Sequence, residues 1–405
     1  MRSQKVSFVN KSGQNLSGRM DFPLTGKPKA FVLFAHCFTC SSTLKALDHI
    51  SSALTQNGMA VLRFDFTGLG QSGGEFEDTN FSSNLSDLTE AYEFLEKKFE
   101  APQILIGHSL GGAAVLHVAG ALKKVKAVVT IGAPSNPTHV KALLKGGEKE
   151  IREKGEAEVN IGGRPFKIKK QFLEDLEKDR KGEVIRHLGK ALLVMHSPQD
   201  KIVGIDNAAE IYQQAMHPKS FITLDGSDHL LSRKADSHYV GNIVSSWASR
   251  YIVSDHAEEV APEGEVWTRL SDQGFLTEIT AGKHHLLADE PEGSGGTDHG
   301  PSPYGYLLSA LGACTAMTLR MYADYKKIDL KEVKVKLTHD KVHQQDGGQA
   351  EAAKGKIDQI RRMIRLEGDL TDAERKRLIE IADRCPVHKT LEGKPQIITE
   401  EATEI

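Results

Sequence analysis

Residues 103–112 read Gln103-Ile104-Leu105-Ile106-Gly107-His108-Ser109-Leu110-Gly111-Gly112. An apolar run ends in the pattern G-x-S-x-G, and apolar residues at helical spacing follow at once through position 122. A serine carried on a sharp strand-to-helix turn needs neighbours without side chains, so that the backbone can fold tightly and the hydroxyl stands clear. The helix N-terminus behind it favours negative charge developing beside the serine. Strand, turn and helix come in the order this chemistry requires, so the stretch reads as a nucleophile turn rather than a plain glycine turn before a helix.

Working outward, apolar runs at 30–35, 59–66, 126–131, 191–195 and 220–224 alternate with helical patterns at 41–57, 82–98, 206–216 and 236–252. Uninterrupted apolar strands between helices indicate a parallel sheet covered on both faces, an α/β fold. Residues 5–9 and 15–21 add an opening hairpin, and the Lys-, Glu- and Gly-rich stretch 137–189 interrupts the rhythm as an inserted cap. The acidic, Pro- and Gly-containing segment 254–265 reads as a linker, which leaves a first domain at 1–253 and a second at 266–405. At 405 residues the chain exceeds the roughly 100–200 residues of one domain. The second domain has a different order: strands at 266–270 and 275–288, a long helix at 303–326, strands at 332–343 and 356–368, and a helix at 372–384. Thr371 followed three residues later by Glu374 has the form of a capping box for that last helix.

A serine nucleophile needs a base, and the base a carboxylate, which this sheet architecture supplies after later strands in the order Ser, Asp, His. Asp200 follows the strand 191–195, and His229 follows the strand 220–224. Asp206, Asp225, Asp228, His196, His217 and His238 compete with them, but His196 falls at the edge of its strand and Asp225 and Asp228 crowd the histidine loop. The oxyanion hole takes one N–H from Leu110 and a second from Phe38. Through His36-Cys37-Phe38, DFTGLGQSG, GHSLGG, HSPQD and GSDH, residues 1–253 resemble the α/β-hydrolase family, with Cys37 where that family usually has glycine. The resemblance implies an α/β-hydrolase fold with a short cap and a serine hydrolase acting on carboxylic esters, short to medium acyl chains first.

Two short patterns carry other chemistries. Gly68-Leu69-Gly70-Gln71-Ser72-Gly73 matches a dinucleotide fingerprint, yet GEFEDTN follows where a helix is needed, so nucleotide binding is not expected. Cys37-Phe38-Thr39-Cys40 has C-x-x-C spacing, and its place in the oxyanion loop favours small buried residues over a redox pair.

In the second domain Cys314 shares a helix face with Leu307, Leu311, Thr318, Met321 and Tyr325, while Cys385 closes the 372–384 helix before Pro386. A helix C-terminus disfavours thiolate, which suits Cys385 to resolving rather than attacking. GGTDHGPSPYGYLLSALGACTAMTLRMYADYK and IADRCPVHKTLEG resemble the OsmC/Ohr family of cysteine-based hydroperoxide reductases over about 266–395. The resemblance implies an α+β fold, an intertwined homodimer, Cys314 as peroxidatic and Cys385 as resolving residue, and a hydroperoxide and a thiol reductant as partners. Tyr304 stands where active members place glutamate, ten positions before the first cysteine, and Arg320 and Arg384 are the available arginines nearby.

Composition narrows the setting. Fifty-two basic residues against 55 acidic leave no basic face for nucleic acid or anionic lipid. No apolar run reaches membrane-spanning length and no signal-peptide pattern opens the chain, so a cytoplasmic, membrane-free protein is expected. His284, His285 and His388 lack companion ligands, and neither cofactor nor metal is expected. Three roles for the whole fit these readings: two enzymes on related substrates, a hydrolase on a dimerising scaffold, or a hydrolase controlled by cysteine oxidation.

Overall fold

The apolar runs fold as strands of one open sheet in the computed structural model, which describes residues 2–24, 26–37, 41–144, 146–161, 164–178, 183–252, 260–270, 274–343, 356–393 and 395–402. The chain forms two units, 1–259 and 260–405.

In the first unit β1 (Arg2–Val9) and β2 (Asn15–Phe22) make the opening hairpin. Then follow β3 (Ala30–Ala35), α1 (Lys45–Gln56), β4 (Met59–Phe64), α2 (Phe81–Lys98), β5 (Ile104–His108), α3 (Leu110–Ala119) and β6 (Ala127–Ile131). The insertion holds α4 (Glu148–Lys154), the antiparallel pair β7 (Glu156–Ile161) and β8 (Arg164–Lys169), α5 (Lys170–Leu176) and α6 (Glu183–Arg186). The sheet resumes with β9 (Ala191–His196), α7 (Asp206–Gln214), β10 (Lys219–Thr223) and α8 (Lys234–Ala248). Strand order is β1-β2-β4-β3-β5-β6-β9-β10, with β2 antiparallel to both neighbours and every later pairing parallel. Every residue of β3, β4, β5, β6 and β9 is buried, because helices cover both faces of these strands.

Arg63, inside β4 and 0% exposed, donates from Nε to Asp21 Oδ2 at 2.8 Å and from Nη1 to Asp48 Oδ1 at 2.6 Å and the Ser42 carbonyl at 2.7 Å. Ser3 and Ser51 complete the Asp21 carboxylate. This dry pair ties β2, β4 and α1 together, and removing one partner from such a pair costs about 3–5 kcal/mol.

The glycine-rich segment 68–73 is a loop closed on its own strand end. Asp65 Oδ1 accepts from Ser42 N at 2.6 Å and Oδ2 from Gln71 N at 3.0 Å, and a Cβ on Gly70 would stand 2.2 Å from that carboxylate. Helix α2 starts only at Phe81, so the loop does not lead directly into an α-helix.

The second unit contains β11 (Val266–Leu270), β12 (Thr277–Ala281), β13 (His284–Ala288), α9 (Pro303–Lys326), β14 (Asp329–His343), β15 (Lys356–Asp369), α10 (Asp372–Ala382) and α11 (Pro386–Glu392). The segment expected as one strand over 275–288 is a hairpin, since Gly282 at φ +57° turns the chain between β12 and β13. Helix α9 begins where Ser302 caps it by accepting from Gly305 N. Its inner side packs Leu319 and Ala323 against Leu330, Leu366, Leu378 and Ile381. Met317, Met321 and Tyr325 on its other side are 65%, 72% and 77% exposed. No helix among the described residues is long and apolar enough to cross a membrane.

Candidate active site

Ser109 joins β5 to α3 with φ +54° and ψ −125°, a backbone that side-chain-bearing residues rarely adopt. The turn is held by Ser109 N donating to the Ile131 carbonyl at 2.9 Å. Its glycines are compulsory: a Cβ on Gly107 would stand 2.3 Å from the Gly111 carbonyl oxygen, and one on Gly111 2.3 Å from that of Ala35. Leu110 is the first residue of α3. Phe38, expected to give the second oxyanion donor, and Cys40 lie outside the described residues. Cys37 is buried but disulfide-bonded, so the reading of this C-x-x-C segment as plain packing cysteines does not hold for it.

His229 Nδ1 donates to Asp200 Oδ2 at 2.7 Å. The other carboxylate oxygen, Oδ1, accepts from Ile202 N at 2.8 Å and Val203 N at 2.9 Å. Burial pushes the Asp200 carboxyl up, but the His229 bond and these two N–H groups outweigh it and hold it below its ordinary value. The acid and histidine loops are also stitched directly. Ser197 Oγ donates to the Ser227 carbonyl at 2.7 Å, and Gly226 N donates to Gln199 Oε1 at 2.7 Å. Gly132, at φ +53°, lets the chain pass so close that a Cβ there would lie 3.3 Å from Asp200 Oδ2 and 3.4 Å from His229 Nδ1.

The competing groups are placed elsewhere. Asp228 Oδ1 accepts from Ser232 N, and Asp206 opens α7. His196 is buried at the end of β9, its Nε2 3.7 Å from Asp200 Oδ2 but 2.8 Å from the Val203 carbonyl, to which it donates. His108 is likewise buried and donates from Nε2 to the backbone carbonyl of His229 at 2.7 Å. His36 donates from Nδ1 to the Cys37 carbonyl at 2.7 Å. Burial lowers all three imidazoles, His108 to about 3, so each is neutral at pH 7 and must donate its single N–H to the carbonyl it faces. No sequence spacing announces these contacts, because their acceptors are backbone oxygens.

A recess behind the serine turn is lined by Phe66, Leu69, Phe81, Leu110 and Ala114, with His36 and Asn84 as its polar members. Outside it, Ile202 and Leu230 follow the acid and the histidine in sequence and stay 46% and 41% exposed.

In the second unit the free thiols of Cys314 and Cys385 lie close enough for each to shift the other's titration. The helix carrying Cys385 differs from expectation: α10 ends at Ala382, and Cys385 is the N-cap of the separate helix α11. Burial raises the Cys314 thiol, and the nearby Cys385 raises it further. Burial also acts against thiolate at Cys385, but the nearby Cys314 and the N–H groups of His388 and Val387 reverse it and bring Cys385 below the ordinary thiol range. The expected penalty at a helix C-terminus therefore gives way to stabilisation at a helix start. Of the arginines weighed, Arg320 donates to the Leu330 and Lys331 carbonyls and Arg384 is exposed. Arg362, which sequence reading missed, reaches Thr315 Oγ1 beside Cys314 at 3.0 Å, the Ala382 carbonyl at 3.2 Å and Asp383 Oδ1 at 2.6 Å. Tyr304 stacks on His339 at 4.4 Å between ring centres.

Comparison with known proteins agrees with both units. A family described as serine aminopeptidase, S33, matches residues 26–145, and one described as OsmC-like protein matches 295–400. The esterase domain of a Rhodothermus marinus protein is 52% identical, with a TM-score of 0.52, over 62% of this chain and 99% of that one. The palmitoyl-protein thioesterase ABHD10 of Mus musculus is 28% identical over 242 residues, 58% of this chain and 79% of that protein. The solved α/β-hydrolase domain-containing protein 10 from mouse, 22% identical with a TM-score of 0.51 over 61% of this chain and 99% of its own, shares the fold. The chain thus belongs to the α/β-hydrolase family, as a hydrolase of esterase and thioesterase type fused to a C-terminal OsmC-like domain.

Proposed function

We propose that the first unit hydrolyses carboxylic esters of short to medium acyl chains through a Ser109–His229–Asp200 triad. The observation that carries the reading is the 2.7 Å bond from His229 Nδ1 to the buried Asp200 carboxylate, with the His229 carbonyl in turn held by His108, the residue before a serine on a strained turn. With Nδ1 donating, His229 Nε2 is the ring nitrogen free to accept the Ser109 proton as the hydroxyl attacks the acyl carbon. The tetrahedral oxyanion would be met by the N–H of Leu110, the first residue of α3, and by that of Phe38. His229 then returns the proton to the leaving alcohol, and water repeats the cycle on the acyl-serine.

Ile202 and Leu230, exposed apolar residues close in sequence to the acid and the histidine, are candidates to meet acyl or alcohol chains. Thioesters form a second substrate class, favoured by the name of the mouse relative. Rates on nitrophenyl esters and acyl thioesters of graded length, from two to sixteen carbons, test the reading; a maximum below about ten carbons is expected. A flat zero on every ester and thioester would remove the proposal.

For the second unit, we propose a homodimer through the apolar outer face of α9, and a thiol peroxidase couple formed by Cys314 and Cys385. In the couple one thiolate takes the terminal oxygen of a hydroperoxide, giving sulfenic acid and an alcohol. The other thiol condenses with it to a disulfide and water, and a dithiol reductant restores both. One equivalent of cumene hydroperoxide is expected to link Cys314 to Cys385, read by peptide mapping, and no such bridge should form in Cys314→Ser. Wild-type protein that stays unbridged would leave the unit a scaffold.

A further inference from the structure

His108 and His196 are the last residues of β5 and β9, two parallel strands of the same sheet with β6 between them, and neither belongs to the proposed triad. Each imidazole is buried, at 3% and 0% exposure. Each leaves its Nδ1 without a hydrogen-bond partner among the described residues. An apolar side chain would fill either place without an unpaired buried nitrogen, which is unfavourable. What the imidazole adds is one donated bond, and in both cases it lands on the backbone that aims a triad group. His108 holds the carbonyl of His229 itself at 2.7 Å. His196 holds the carbonyl of Val203 at 2.8 Å, and the N–H of that same residue feeds Asp200 Oδ1 at 2.9 Å.

We infer that His108 and His196 are positioning residues, paired clamps that fix the histidine loop and the acid loop so that the Asp200–His229 bond points at Ser109. The inference rests on the triad reading above. His108 sets where the base stands, and His196 sets the turn through which Asp200 receives its two N–H groups. Both act through backbone atoms and touch no substrate.

The test compares His108→Met and His196→Met, which keep bulk but lose the donor, with His108→Gln and His196→Gln, whose amide can reach the same carbonyls. In the Met variants kcat on a nitrophenyl ester is expected to fall about 10- to 100-fold, as for a misplaced catalytic group, with KM within about twofold. The rate of fluorophosphonate labelling at Ser109 should fall in parallel, while the thermal midpoint stays level or rises. The Gln variants should recover most of the loss. Folded Met variants with wild-type kcat, or a loss the Gln variants do not relieve, would overturn the inference.

If the Met variants do not fold, proton NMR of the wild-type protein decides. The exchange-protected ring N–H signals, assigned through the Gln variants, should shift when Ser109 carries a phosphonate, and signals unmoved by the adduct would overturn the inference. Ser109→Ala separates the two levels: hydrolysis surviving that change removes the triad itself. Hydrolysis lost there but kept in His108→Met and His196→Met removes only the clamps.

Discussion

Ser109→Ala is expected to abolish ester hydrolysis, by about 10⁴-fold or more in kcat, and to end covalent labelling by fluorophosphonates. Alanine keeps the Cβ already accommodated at φ +54°, so the turn is not asked to accept new atoms and the fold should persist. Circular dichroism and thermal midpoint close to wild type would assign the loss to the missing nucleophile. His229→Ala should cost about as much, since nucleophile and base act as a unit, and Asp200→Asn somewhat less. Labelling that survives Ser109→Ala would end the serine mechanism.

The second large effect is on stability in mild acid. His36, His108 and His196 are neutral and buried in the fold, with values below the 6.5 of a free imidazole. A depressed histidine leaves stability complete above 6.5 and removes it as pH falls below, because the unfolded chain takes up a proton that the fold refuses. For His108, held near 3, the loss is about 1.4 kcal/mol per pH unit, or about 2 kcal/mol at pH 5. His36 and His196 add in the same direction. Asp200 does not contribute in this window, since its carboxyl is lowered and stays ionised. Urea midpoints measured from pH 8 to pH 5 should fall steadily below about pH 6.5, and His108→Gln should flatten the slope. A level midpoint across that range would contradict neutral burial of these rings.

Much of this architecture is legible in the chain because parallel strands covered on both faces write themselves as unbroken apolar runs. The expected helix at 303–326 coincides with α9, since a serine cap and a proline at its first turn mark its start. The order of serine, aspartate and histidine pointed to Asp200 and His229, whose side chains meet. What stayed hidden is whatever depends on backbone acceptors or distant partners. His108 reaches a carbonyl 121 residues away, and its ring looks in sequence like any residue between glycine and serine. His196 reads as a rival base until its Nε2 is seen committed to Val203. Helix α11 was missed because Pro386 signals an ending as readily as a beginning, and Cys385 changes electrical company with that distinction. Arg362 sits in a charged run on β15 whose spacing shows nothing of its inward neighbours.

The crowding around the serine turn has a consequence for how such a protein can change. Gly107 and Gly111 meet backbone atoms of the turn and of β3, with no side chain left to trade. Substitution there cannot tune the site, only break it. Variety in what the site accepts has instead to come from positions free of such contacts, of which the solvent-exposed Ile202 and Leu230 are two. A lineage of this chain would diversify at its rim while its centre stayed still.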